Sequence, residues 1–167
     1  NGLLKISRAF FALPKNKKQI NARTEERPWG YFDQELTKNR PDWKEIFDLG
    51  LSVEDARSEL VMSWPNEPED FKKITLNWHR LCDRISLTII RAVSVSLGRE
   101  ADCLSDYFRP INTSFLRLNF YPVCPNPADM NLDMPVEGHL GIHHHTDAGA
   151  VTVLLQDQVP GLQFKQD

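Results

Sequence analysis

The sequence predicts an α+β fold, with helices first and strands after them. Three observations carry this. Apolar residues recur at helical spacing between about Pro68 and Leu97, strict alternation sets in at "SFLRLNFYP", and a second β-branched run, "AVTVLLQ", follows a cluster of histidines. No internal repeat or low-complexity segment interrupts this order.

Element by element, "LLKISRAFFAL" (residues 3–13) predicts a short amphipathic helix that stops before Pro14. The basic run from Lys15 to Lys18 reads as a solvated loop. In "RPWGYFDQELTKNRPDWKEIFDLG", Asp42 and Glu45 have the spacing of a capping box, which predicts a short helix carrying Trp43 and Phe47 into the core. Asn66 and Glu69 repeat that spacing ahead of the long helix, with Pro68 in its first turn and Gly98 as its stop. Phe71, Ile74, Trp78, Leu81, Ile85, Ile89 and Ala92 form the expected buried stripe. His79, beside that stripe, reads as a packing or helix-surface residue. In the strand after Pro110, Leu116, Leu118 and Phe120 face one way and Arg117, Asn119 and Tyr121 the other.

Composition narrows the function. A chain of 167 residues that is 41% hydrophobic and 26% charged has the make-up of a soluble globular protein. The net charge of −3 offers no basic field for nucleic acid or anionic lipid, and no apolar run is long enough to span a bilayer. Cys82, Cys103 and Cys124 are odd in number and widely spaced, which suits free thiols in a cytoplasmic protein. Neither a nucleic-acid nor a membrane partner is expected.

The chemistry concentrates in "GIHHHTDAGAVTVLLQD" (141–157). Four of the five histidines lie between His139 and His145. If residues 143–147 are extended, His143, His145 and Asp147 project from one face and His144 from the other. Neighbours on that face are about 6.6 Å apart, close enough to pinch one metal ion, whereas His143 and Asp147 are about 13 Å apart and cannot both reach it. The strand thus offers His143 with His145, or His145 with Asp147, and a third protein ligand must come from elsewhere. His-x-Asp with a remote His is the pattern of the facial triad that binds Fe(II) and leaves three positions open.

The motifs around the cluster resemble the Fe(II)- and 2-oxoglutarate-dependent dioxygenases, in the branch that holds the plant-type oxygenases and isopenicillin N synthase. "RLNFYPVCP" (117–125), "HTDAGAVTVLLQD" (145–157) and "PGLQF" (160–164) carry the resemblance. "FFALP", "GYFDQEL", "DWKEIF" and "WPNEPEDF" extend it over the N-terminal region. It implies a helical region over residues 1–112 and, over 113–167, the beginning of a double-stranded β-helix, or jelly roll, incomplete at the C-terminus. It also implies that His145 and Asp147 are iron ligands and that Asn119 and Tyr121 contact the cosubstrate. Arg117 shares their face and is expected either to meet an anionic cosubstrate or to form a structural ion pair. The implied cofactors are Fe(II), 2-oxoglutarate, O2 and, as an auxiliary reductant, ascorbate. The implied activity couples decarboxylation of 2-oxoglutarate to hydroxylation, desaturation or ring closure of a small-molecule substrate, by a protein that is a monomer when complete.

The residues after Asp147 include no His, Arg or Ser, so the family's second His ligand and its R-x-S motif are missing. The expectation is a chain that is inactive alone and forms the N-terminal part of a dioxygenase. Two rival readings remain at this point. One is a truncated, non-catalytic family member that acts as a binding module. The other is a zinc hydrolase built on His143, His145 and Asp147, although Ala148 stands where that motif continues with His. His143 points toward the site under the strand reading, either as a contact to a ligand or to the substrate or, the preferred reading, as a residue at its mouth.

Overall fold

The computed structural model describes residues 2–50, 62–108, 114–128 and 137–164. The expected boundary between residues 112 and 113 lies outside them. The fold is mixed helix and sheet. Helix α1 (Gly2–Phe11) and the short α2 (Lys15–Gln19) lead into strands β1 (Gly30–Phe32), β2 (Leu36–Thr37), β3 (Arg40–Pro41) and β4 (Glu45–Gly50). The long helix α3 (Phe71–Ser96), a 3-10 turn (Ser105–Phe108) and β5 (Phe115–Phe120) follow. Strands β1, β4 and β5 form an antiparallel sheet with β4 central, while β2 and β3 make a separate hairpin. No helix among the described residues is long and apolar enough to cross a membrane.

The core lies between α1 and one face of the sheet. Leu3, Ile6, Phe10 and Phe11 line one side of α1, as its periodicity requires, and meet Tyr31, Phe47, Leu49, Phe71 and Leu118. Phe10 is the hub. Its ring centroid lies 5.2 Å from Phe11, 5.0 Å from Phe47 and 5.1 Å from Phe71. The alternation expected in β5 is present: Leu118 is buried against Phe47, and Leu116 and Phe120 pack at the margin of the same cluster.

Four expectations fail, each for a physical reason. The helix expected at "DWKEIF" is strand β4, in which Ile46, Phe47, Asp48, Leu49 and Gly50 are all buried. A central strand covered on both faces loses the period-2 pattern that would reveal it. The N-terminal region therefore supplies strands to a sheet that β5 completes. The lysine run is not a solvated loop. Lys18 is buried in α2, where its ammonium donates to the Phe11 carbonyl (3.0 Å) and pairs with Glu45.

Helix α3 begins at Phe71 rather than Pro68, with Asp70 left-handed at the N-cap and no side-chain cap. Its buried positions are Phe71, Thr75, His79, Ile90 and Ser94. The Thr75 and Ser94 hydroxyls donate to carbonyls one turn back, Phe71 at 2.7 Å and Ile90 at 3.0 Å, so they enter the interior satisfied. Ile74 and Trp78 flank the core as expected, but Ile85 and Ile89 stay 39% and 40% exposed. Finally, residues 151–157 are not in a sheet ladder. Alternating β-branched residues favour an extended chain, but a strand also requires a hydrogen-bonding neighbour, and the described residues supply none.

Candidate functional site

The histidine cluster is held by the hairpin at the other end of the sequence. Lys38 and Asn39 both take positive φ (50° and 61°), which gives the two-residue turn whose twist suits a tight hairpin. That turn sets Thr37 opposite Arg40 and delivers Asp42 just beyond β3. The Asp42 side chain is fully buried, and both its oxygens are occupied. Oδ2 accepts from the Thr37 hydroxyl at 2.6 Å and pairs with the equally buried Lys44 ammonium at 3.0 Å. Oδ1 accepts the main-chain N–H of His143 at 3.1 Å and its ring Nδ1–H at 2.9 Å. Burial alone would raise the Asp42 carboxyl, but the hydrogen bonds from Thr37, His143 and Lys44 outweigh it and hold the group below the ordinary carboxylate range.

Trp43 adds a second tie. Its main-chain N–H donates to the Leu140 carbonyl at 2.8 Å, and its indole lies against the His139 ring at 5.0 Å. His139 is bonded in turn through its carbonyl to Ala128 N–H and through its main-chain N–H to the Asn126 carbonyl, both at 2.9 Å. Gly141 packs against Tyr121 so closely that a β-carbon there would lie 2.6 Å from Cδ1 of the ring. Tyr121 therefore meets the loop just ahead of the cluster.

His145 and Asp147 face each other. Nε2 of His145 lies 3.4 Å from Oδ1 of Asp147, and both side chains are accessible. The His145 Nδ1 lies 2.8 Å from the main-chain carbonyl of His143. A carbonyl only accepts, so Nδ1 carries a proton, and the neutral imidazole of that tautomer has its lone pair on Nε2, toward the carboxylate. In that neutral form two acceptors face one another, an arrangement that a cation between them satisfies. Donors that share one ion at bonds of about 2.1 Å lie about 3.0–3.4 Å apart when they are neighbours in the coordination sphere. The spacing of the pair thus fits a metal, and an Nδ1–H···O=C bond is the kind of contact that orients an imidazole for coordination. Among the described residues no group of three or more His, Cys, Asp or Glu converges on a metal position.

The remaining sequence-derived residues separate. The Nδ1 of the His143 ring is bonded to Asp42, and among the described residues His143 is not grouped with His145 and Asp147 in a donor trio. His144 is exposed. Segment 143–147 is not in a ladder, so the ideal two-faced strand does not describe it, although His145 and Asp147 do converge. Arg117 forms the structural ion pair. Nε and Nη2 grip the two oxygens of buried Asp48 at 2.7 Å each, and Nη1 faces Glu35 at 3.4 Å. Asn119 is exposed one step further along β5, opposite Ile46. The Tyr121 phenol is pushed above its ordinary range by burial and by the Asp42 carboxylate, against an opposing effect of Arg117, so it stays an O–H donor at neutral pH.

Comparison with known proteins identifies the family. Residues 112–167 match the family described as the 2OG-Fe(II) oxygenase superfamily, and residues 1–67 match the N-terminal region described as that of a non-haem dioxygenase in morphine synthesis. The chain belongs to the 2OG-Fe(II) oxygenase superfamily.

Within that superfamily it is 28% identical to naringenin,2-oxoglutarate 3-dioxygenase of Arabidopsis thaliana, over 99% of this chain and 43% of that protein. It is 30% identical to flavanone 3-dioxygenase of Petroselinum crispum, over 99% of this chain and 42% of that one. Among solved structures, a full-length Neurospora crassa protein in complex with alpha-KG and thymine is similar at a TM-score of 0.59 and 27% identity, covering 72% of this chain and 41% of that one. The chain thus spans about two fifths of the length of these relatives. The sequence motifs lead to His145 and Asp147 but not to the Asp42–His143 clamp. No local pattern encodes it, since the two residues are 101 positions apart.

Proposed function

We propose that this chain contributes the first two iron ligands and part of the cosubstrate pocket to an Fe(II)/2-oxoglutarate-dependent dioxygenase acting on a small organic molecule. The observation that carries the reading is the His145–Asp147 pair, 3.4 Å apart with the imidazole proton committed to the His143 carbonyl. In this reading residues 113–167 begin the jelly-roll domain, residues 1–112 precede it, and the remaining histidine ligand comes from a segment outside residues 1–167.

His145 supplies a neutral nitrogen lone pair and Asp147 a carboxylate, a donor set suited to ferrous iron with open positions. Bound iron would supply oxygen activation coupled to decarboxylation of 2-oxoglutarate. The chain's own residues do the positioning. The His143 carbonyl fixes the His145 tautomer, and the Tyr121 phenol offers a donor beside the loop for an anionic cosubstrate. Asn119 offers a neutral amide near the end of β5, two residues before Tyr121, and Arg117 neutralises buried Asp48 on that strand's partner. The relatives' names support a small-molecule substrate and nothing narrower, because naringenin and thymine are chemically unlike.

The test is succinate formation by the full-length protein with Fe(II), 2-oxoglutarate and a panel of small aromatic and heterocyclic substrates, beside its Asp147→Ala variant. Turnover that requires Fe(II) and Asp147 supports the reading. Turnover indifferent to either overturns it. Metal binding without turnover across the panel turns the assignment toward the non-catalytic binding module.

A further inference from the structure

We infer that Asp42 is a positioning residue for the metal-binding histidine and acts through His143. This rests on the proposed reading of His145 and Asp147 as metal ligands.

The argument is one of connectivity and burial. The Asp42 carboxylate is fixed from one side by the Thr37 hydroxyl and the Lys44 ammonium. From the other side it holds both the N–H and the ring of His143. The carbonyl of that same residue receives Nδ1–H of His145. One residue is therefore pinned at its main-chain nitrogen and its side chain, and it spends its carbonyl on orienting the imidazole. Exposure rises along the path. The side chains of Asp42 and Lys44 are 0% and 1% exposed, His143 is 16%, His145 is 38% and Asp147 is 57%. A rigid, buried hub thus transmits order to ligands on an exposed segment that no sheet ladder steadies.

A residue that only anchors the loop would affect folding and leave the metal's surroundings unchanged. A positioning residue would alter those surroundings in the folded protein. The probe is Co(II) alone, titrated into the full-length protein and followed by its visible ligand-field absorption. Variants are His143→Ala, His143→Asn (which keeps a side-chain N–H for Asp42), Asp42→Asn and, as a control, Asp147→Ala.

His143→Ala is expected to weaken Co(II) binding by about 10- to 100-fold, the usual effect of removing an outer-shell partner, and to shift the absorption bands. His143→Asn is expected to restore most of both. Wild-type affinity and bands in His143→Ala, with binding lost in Asp147→Ala, overturn the positioning role and leave the metal reading intact. Wild-type affinity in Asp147→Ala overturns the metal reading and this inference with it. If Asp42→Asn does not fold, the two His143 variants decide the question, because they leave Thr37 and Lys44 on Asp42.

Discussion

Oδ1 of Asp42 accepts both the main-chain N–H and the ring Nδ1–H of His143, at 3.1 and 2.9 Å, across 101 residues of sequence. This contact joins the β2–β3 hairpin to the segment that carries the candidate ligands. Four donors on one buried carboxylate fill about all the lone-pair sites it has, so the charge is compensated despite its burial.

Stability should follow the ionisation of Asp42. Its carboxyl is held below the ordinary range in the folded state, because donors from Thr37, His143 and Lys44 outweigh burial. A depressed folded pKa stabilises fully above the unfolded value of about 3.9, and that contribution is lost as pH falls through the folded value. Asp42→Asn also leaves the Lys44 ammonium buried without its carboxylate. The cost at pH 7 should be about 3–5 kcal/mol, as for other broken buried pairs. Urea unfolding of both proteins from pH 7 to pH 3 measures this. The gap between them should narrow only below about pH 4, and a constant gap would show that the carboxylate charge is not what stabilises the hub.

Asp147 and His144 should separate sharply in function. Asp147→Ala removes one of two converging donors and should abolish Fe(II)-dependent oxygen consumption by the full-length protein. His144 is exposed, and His144→Ala should retain most of it. Oxygen-electrode traces at saturating Fe(II) and 2-oxoglutarate make the comparison, and equal loss in both variants would contradict the observed orientation of His145 and Asp147.

Local periodicity revealed α1 and β5 because each buries a single face, which prints a 3.6- or 2-residue repeat on the sequence. It failed at β4, where Ile46 and Asp48 are buried on the face opposite Phe47 and Leu49. There the i, i+4 spacing of Trp43 and Phe47 imitated a helix. It also misplaced the buried side of α3, since Thr75, His79 and Ser94 do not register in a hydrophobic pattern, although the helix itself satisfies the two hydroxyls. The His145–Asp147 pair was legible as a short-range motif. The partners of His143 and Arg117 were not, because Asp42 and Asp48 reach them only through tertiary pairing.

Phe10 should be among the costliest core positions. It is fully buried, and its ring meets Phe11, Tyr31, Phe47 and Phe71, so it joins α1 to the sheet and to the start of α3. Phe10→Ala should lower unfolding free energy by about 3–5 kcal/mol, through lost burial plus the cavity left among rings that cannot all collapse inward. Phe10→Leu should cost less. Chemical denaturation with unchanged slope provides the check, and a Phe10→Ala loss below about 1 kcal/mol would mean that the surrounding rings repack.

Gly141 should separate stability from function. A β-carbon there would meet Tyr121 at 2.6 Å from Cδ1 and 3.0 Å from Cε1, inside any tolerable contact. The obstacle is the ring of a residue that is 49% exposed, so the ring can turn toward solvent. Gly141→Ala should therefore cost less than about 1 kcal/mol, as a relieved surface overlap does, and leave the melting temperature nearly unchanged. The displaced phenol should no longer stand beside the loop, and the KM for 2-oxoglutarate should rise while Co(II) affinity is retained. Tyr121→Phe, which removes the hydroxyl without moving the ring, should raise that KM in the same direction. A normal KM in both variants would remove Tyr121 from the cosubstrate pocket. A normal KM in Tyr121→Phe alone would assign the Gly141→Ala effect to the shape of the loop.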